Sequence, residues 1–106
     1  MLKHLVYYVT ASLLICTGNA TSLAQSAADT YKAKCQMCHA VDGSGDTPAG
    51  KAMKAHPFKS PDVLKQSDAD LIAIVKNGKA KMPAFSGKLT DTQTADLVAY
   101  IHTLQK

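Results

Sequence analysis

Apolar residues recur at helical spacing in separate stretches of the chain, and polar caps mark where they begin. Leu71, Ile74 and Val75 lie three and four apart behind Ser67-Asp68-Ala69-Asp70, which reads as a capping box; Asn77-Gly78 ends that stretch with a glycine cap. Leu97, Tyr100, Ile101 and Leu104 form a second stripe behind Thr90-Asp91-Thr92-Gln93, a full S/T-x-x-Q box. A further helix is predicted to start at Ser26-Ala27-Ala28-Asp29, with Ser26 as its N-cap, and to run through Tyr31 to about Cys38. Between these stretches lie two loops, V-D-G-S-G-D-T-P-A-G up to Gly50 and K-A-K-M-P-A-F-S-G-K from Lys79 to Lys88. Gly50 to Ala55 is expected to make one helical turn, and His56-Pro57 and Ser60-Pro61 to leave irregular chain or short helix. No strand alternation and no internal repeat is visible, so the fold class is all-α, with three main helices and short helical turns. The stripes are narrow and would bury little surface alone, which points to something else filling the middle.

The chain's start follows a different pattern. Met1-Leu2-Lys3-His4 is basic, Leu5 to Cys16 is an apolar run, and T-G-N-A-T-S-L-A is small and polar. That order predicts a signal peptide over residues 1–24, cut after Ala24 or elsewhere within residues 20–28, and a periplasmic domain over residues 25–106. The apolar run falls short of the roughly 20 residues a spanning helix needs. Removing the leader takes away Lys3 and no acid, which lowers the formal charge from +4 to about +3. All basic residues are lysine and all acidic ones aspartate. The basic positions lack interleaved aromatics, which speaks against nucleic acid; a mildly basic exported protein suits an acidic protein surface. With 106 residues and 6% aromatics the core is thin, the situation in which a small domain relies on a metal or cofactor.

The chemistry centres on C-Q-M-C-H, residues 35–39. On a helix, Cys35, Cys38 and His39 share a face. A structural zinc site needs four N or S ligands, and the exported part has two cysteines. A thioredoxin-like pair would follow a strand, and a plain disulfide leaves His39 unexplained. C-x-x-C-H is the signature of covalent haem attachment: each thiol adds across a vinyl group to form a thioether, and His39 supplies an axial nitrogen to the iron.

A second axial ligand decides whether such an iron stores electrons or binds small molecules. Met37 lies within the attachment turn and cannot reach the other face of the ring. Met53 is expected to fill the core. Met82 lies in the second loop, where Pro83 stiffens the backbone and Phe85 is placed to pack on the haem, and its soft, uncharged sulfur suits the role. His56 and His102 are expected to be solvated histidines.

The chain from about Ala27 to Leu104 resembles the small monohaem class I cytochromes c of bacteria, through C-Q-M-C-H, D-G-S-G-D-T-P-A-G, S-D-A-D-L-I-A-I-V-K-N-G, K-M-P-A-F-S-G-K-L-T-D and D-L-V-A-Y-I. The resemblance implies that the first and last helices cross with Tyr31 and Tyr100 in contact and small Ala27 allowing close approach. It implies that Pro48 gives its carbonyl to His39, that Lys79-Ala80-Lys81-Met82-Pro83 is the methionine-ligand loop, and that one haem c is bound between His39 and Met82. No arginine is present to pair with haem propionates.

The expected function is a periplasmic electron carrier cycling haem iron between Fe(II) and Fe(III), without enzymatic turnover or a small-molecule substrate. It would act as a monomer and meet redox proteins through an acidic docking surface. Lys34, Lys51, Lys54, Lys79, Lys81 and Lys88 are expected to ring the exposed haem edge and steer the encounter. The alternatives are a cytochrome c subunit of a larger dehydrogenase or terminal oxidase complex, and a peroxidase-like enzyme with Met82 off the iron.

Overall fold

α1 (Thr21–Lys34) begins earlier than its polar pattern suggests, in a computed structural model that describes residues 21–106. Ser26 lies inside it, its carbonyl accepting a hydrogen bond from Thr30 Oγ1 at 2.9 Å, so the cap expected there is not formed. Residues 21–25, Thr-Ser-Leu-Ala-Gln, contain no Gly or Pro, so nothing local stops the helix from including them. Most of the leader expected over residues 1–24 lies outside the described residues.

α1 also ends sooner than expected. At Cys35 the backbone turns to φ −119°, ψ −35°, and a separate single turn, α2 (Gln36–His39), follows. The Cys35 carbonyl accepts from the N–H groups of Cys38 at 3.2 Å and His39 at 2.9 Å. Three short or medium helices come next: α3 (Pro48–Met53), α4 (Pro61–Leu64) and α5 (Asp68–Asn77). α6 (Asp91–Leu104) closes the fold. Among the described residues there is no strand; Lys79 with Met82 and Ser86 with Leu89 form isolated bridges within loops.

Both predicted capping boxes are present. Ser67 Oγ accepts from Asp70 N at 3.1 Å and Thr90 Oγ1 from Gln93 N at 3.1 Å, each stabilising its helix start by about 1 kcal/mol. α3 starts two residues before the turn expected from Gly50, because Thr47 caps it (Gly50 N to Thr47 Oγ1, 2.9 Å) and Pro48 occupies the first helical position.

α6 packs on both α1 and α5. Buried Ala27 lets α1 approach it closely, and the Tyr31 and Tyr100 rings meet at 5.3 Å. Tyr31 also meets Phe58 edge-on at 6.2 Å. α6 turns slightly from the face expected: Thr94, Leu97, Val98 and Ile101 are buried, while Tyr100 and Leu104 pack at the border of the core. Each fully buried aliphatic side chain of this kind stabilises the fold by about 1.5–3 kcal/mol. The core is small, and it gives way on one side to a cavity.

Candidate functional site

That cavity, of about 390 Å³, lies within the roughly 300–1,000 Å³ of typical cofactor clefts. Leu71, Ile74 and Val75 of α5 and Leu97 and Ile101 of α6 supply its apolar wall. Cys35, Cys38 and His39 enter from the attachment turn, and Met82, Pro83 and Phe85 from the loop after α5. Six of the seven residues expected at the haem (Cys35, Cys38, His39, Met82, Pro83 and Phe85, but not Pro48) therefore line one space.

The attachment turn is rigidly held. Tyr31 sends its hydroxyl from the core to the carbonyl of Ala40, the residue after His39. The Thr47 hydroxyl donates to the Met37 carbonyl at 2.6 Å and reaches the Cys38 carbonyl at 3.3 Å, tying α3 to α2. Gly50 sits where a methyl group would overlap the carbonyl oxygens of Cys38 and Gly45, so only glycine lets the two short helices meet.

The donor atoms suit covalent haem. Burial, and secondarily Cys38, pushes the Cys35 thiol up to about 11, so this sulfur is neutral at physiological pH and lies in the apolar setting a porphyrin edge needs. Burial also lowers the His39 pKa, leaving a neutral imidazole with a free lone pair. His39 Nδ1 is shut off from solvent without a hydrogen-bond partner, a buried polar atom that protein contacts alone do not explain.

Pro48 is the exception among the predicted residues. It does not line the cavity and makes no hydrogen bond to His39 Nδ1. As the first residue of α3 it directs its carbonyl along its own helix toward the next turn. The contact to α2 comes instead from the neighbouring Thr47 hydroxyl.

The Met82 loop is set by backbone. Met82 N donates to Lys79 O at 2.9 Å, Lys79 N to Met82 O at 3.2 Å, and Ala80 between them takes φ 51°. Gly78, at φ 75°, lies against this loop, and a Cβ there would come within 2.7 Å of Met82 O. Phe85 N and Ser86 N then donate to Val75 O and Lys76 O, both at 3.0 Å, locking the loop to the end of α5.

Of the six lysines expected around the edge, Lys34, Lys54, Lys79 and Lys81 line the cavity. Lys51 pairs with Asp46 at 3.0 Å, and Lys88 lies 5.8 Å from the Phe85 ring centroid. Met53 does not fill the core: it is 43% exposed, with its sulfur 4.0 Å from Cys38 Sγ, because α3 ends at the cavity rim. His56 lines the cavity and bonds Asp62 through Nδ1 at 2.9 Å. His102 bonds Asp68 and Gln105 rather than water alone.

Phe58 was not singled out in the sequence. It is 7% exposed, and its ring stacks on the His39 imidazole with centroids 4.8 Å apart and planes 29° apart. A lone aromatic between two X-Pro breaks was the available signal, as Thr47-Pro48 was for the start of α3.

Residues 22–101 match the family described as cytochrome c oxidase, cbb3-type, subunit III. The chain is 34% identical over 83 residues to cytochrome c6 of Picosynechococcus sp., covering 74% of this chain and 70% of that protein. It is 34% identical over 71 residues to cytochrome c6 of Leptolyngbya boryana, covering 67% of this chain and 80% of that one. Cytochrome c6 of Tetradesmus obliquus is 36% identical over 76 residues, covering 69% and 81%. Among solved structures, the KustC0563 c-type cytochrome superposes with a TM-score of 0.69 at 29% identity, covering 76% of this chain and 98% of that one. A chain of the Kuenenia stuttgartiensis reducing HAO-like protein complex shares the fold at TM-score 0.69 and 24% identity, covering 79% of this chain and 44% of its own.

Proposed function

The chain belongs to the c-type cytochromes, and from that premise we propose that it is an electron carrier in which Cys35 and Cys38 hold one haem c and His39 and Met82 fill its two axial positions. The observation that carries this assignment is the convergence of two thiols, one neutral imidazole and one thioether on a single apolar cavity. Bound haem supplies one-electron Fe(II)/Fe(III) chemistry.

The protein's own residues do the rest. Cys35 and Cys38 fix the cofactor against α2 so that it cannot dissociate. The neutral His39 ring presents a lone pair, and Phe58 limits how far that ring can turn. The Met82 thioether, held by Lys79 and by the packing of Gly78, adds a soft ligand without charge, a combination that raises the reduction potential. With His39 and Met82 both holding the iron, no coordination site would be left for a substrate, so we infer a carrier and not an enzyme.

Lys34, Lys54, Lys79 and Lys81 around the cavity favour an acidic redox partner, and encounter rates fall with salt accordingly. We place the site of action in the periplasm, with residues 1–24 as the exported chain's leader and residues 25–106 as a monomeric domain. The leader's basic–apolar–polar order supports this reading, and among the described residues no helix is long and apolar enough to cross a membrane.

The test is Met82→Ala in the haem-loaded protein. It should remove the weak thioether band near the red end of the ferric spectrum, admit carbon monoxide to the ferrous iron and lower the potential. An unchanged spectrum and potential would show that Met82 is not the ligand. A second reading, a cytochrome c subunit of a larger complex, is favoured by the family match, whose description names an oxidase subunit. Gel filtration of native soluble and membrane fractions separates the two: a carrier elutes at its own small size.

A further inference from the structure

A chain of hydrogen bonds leads from the surface of α5 and α6 to the stacking partner of His39. His102 Nε2 lies 2.6 Å from Asp68 Oδ1, and its Nδ1 lies 2.7 Å from Gln105 Oε1. Gln105 Nε2 donates to the Phe58 carbonyl at 3.0 Å. Phe58 N in turn donates to Gly43 O at 2.9 Å, and the Phe58 ring stacks on His39. Four groups from three parts of the fold thus meet end to end, and the last of them touches the imidazole assigned to the iron.

The protonation state of His102 decides whether this chain is whole. Both acceptors facing the ring are oxygens, one a carboxylate and one an amide carbonyl. The Gln105 amide cannot turn round without placing its oxygen against the Phe58 carbonyl. If His102 is neutral with its proton on Nε2, a lone pair on Nδ1 faces Gln105 Oε1. If the proton is on Nδ1, a lone pair on Nε2 faces the Asp68 carboxylate. Only the imidazolium, with both nitrogens donating, satisfies every member. Asp68 is the charged group bonded to the ring, and Asp70, also in the first turn of α5, is committed to the backbone of Ser67. On the Phe58 side the chain is met by a neutral carbonyl. In keeping with this geometry, the hydrogen bond from Asp68, followed by that from Gln105, raises the His102 pKa.

We propose that His102 is a proton-dependent positioning residue: protonated, it closes an Asp68–His102–Gln105–Phe58 clasp that seats Phe58 against His39, and its deprotonation loosens that seat and makes the reduction potential depend on pH. The proposal rests on His39 being the axial ligand. The extra positive charge of ferric iron disfavours the imidazolium directly, and the seating of Phe58 on His39 adds the larger share of the coupling, so His102 holds its proton more tightly in the ferrous protein and the potential falls as pH rises.

The experiment follows the haem-loaded protein from about pH 5 to 9, a range centred near the ordinary histidine pKa. NMR of labelled histidine reports His102 in each redox state, and spectroelectrochemistry reports the midpoint potential of the same samples. His102 should bind its proton about threefold more tightly in the ferrous state, equivalent to a fall of about 28 mV between acid and alkaline plateaus at 59 mV per tenfold. The inflection should coincide with the titration of His102, which NMR resolves from the other histidines. His102→Gln should flatten the profile.

Gln105→Ala discriminates between mechanisms, because it keeps the His102–Asp68 pair and cuts the link to Phe58. It should remove at least half of the fall while His102 still titrates; Gln105→Met serves if the alanine variant does not fold. A fall that survives in full in the Gln105 variant, or a flat parent profile while His102 titrates, overturns the clasp. Failure of the underlying assignment looks different: the parent protein would lack the low-spin spectrum of histidine-ligated haem, and the clasp would fall with it, whereas failure of the clasp alone leaves that spectrum intact.

Discussion

The His39 imidazole lies stacked on the Phe58 ring, with 4.8 Å between centroids and 29° between planes. The pair joins the attachment turn to the proline-bounded segment before α4, two parts of the chain with no regular structure in common. Phe58 is in addition edge-on to Tyr31, the buried aromatic of α1. One side chain therefore bears on both the helix crossing that holds the fold and the imidazole proposed to serve the iron.

Phe58→Ala should consequently affect stability and electron transfer together. Emptying a site that is 7% exposed costs about 3–5 kcal/mol by the general cost of large aromatic truncations, an upper range because haem bonded through Cys35 and Cys38 restrains the attachment turn. Thermal melts of the haem-loaded variant measure the loss. The potential should shift in the same samples, since the His39 ring loses the surface that orients it. A melt within about 1 kcal/mol of the parent would show that Phe58 is not part of the core.

Gly50 tests the contact between α2 and α3. The carbonyls of Cys38 and Gly45 occupy the space a methyl group would need, and backbone cannot yield there without moving the residue beside His39. Gly50→Ala should therefore reduce the yield of haem-loaded protein several-fold, read from haem absorbance per polypeptide. Ala52→Ser, at an exposed position of the same short helix, should leave the yield unchanged.

What could be read from the chain alone follows from the range of the interactions involved. Cys35, Cys38 and His39 lie within one turn, and both capping boxes close within three residues, so each appears as a short pattern. The place of Met82 at the cavity was legible because the flanking Lys-Met-Pro loop narrows where its side chain can lie. His102 meets Asp68 across 34 residues and Gln105 meets Phe58 across 47, and no local pattern records such partners. The Ser26 cap failed for the converse reason: a cap preference is a local tendency, and the residues upstream favour helix as well. The carbonyl contact expected from Pro48 to His39 is not made, since His39 Nδ1 has no hydrogen-bond partner, and the tie between α3 and α2 is the Thr47 hydroxyl, a side-chain contact across ten residues.

Ala40 leaves α2 at φ 66°, ψ 168°, a region essentially reserved for glycine. Tyr31 holds its carbonyl from the core, which keeps the strained residue in place. Ala40→Gly should relieve the strain and stabilise the protein by about 1 kcal/mol, a rise in Tm of roughly 4–8 °C for a domain of this size. Tyr31→Phe should lower it by a similar amount through loss of one hydrogen bond. If Ala40→Gly melts lower than the parent, chain entropy outweighs strain and the backbone is not under tension there.

The pH dependence of stability separates two limbs by sign. The folded pKa of His102 is raised, first by its hydrogen bond to Asp68 and then by Gln105, so its contribution is fully present below the unfolded value of about 6.5 and is lost as pH rises through the folded one. Asp42 behaves oppositely: hydrogen bonds from Ser44 hold its carboxyl below the usual range, and its contribution is lost as pH falls through that lowered value. Melts of the haem-loaded protein should thus decline as pH rises above about 6.5 on account of His102, and in strong acid on account of carboxylates such as Asp42. His102→Asn should flatten the alkaline decline and leave the acid one in place. The His102 side chain is 41% exposed, so the decline should be modest and should shrink in high salt, where the Asp68 charge is screened. An alkaline decline of the same size in His102→Asn would assign it to another group and remove His102 from the account of stability.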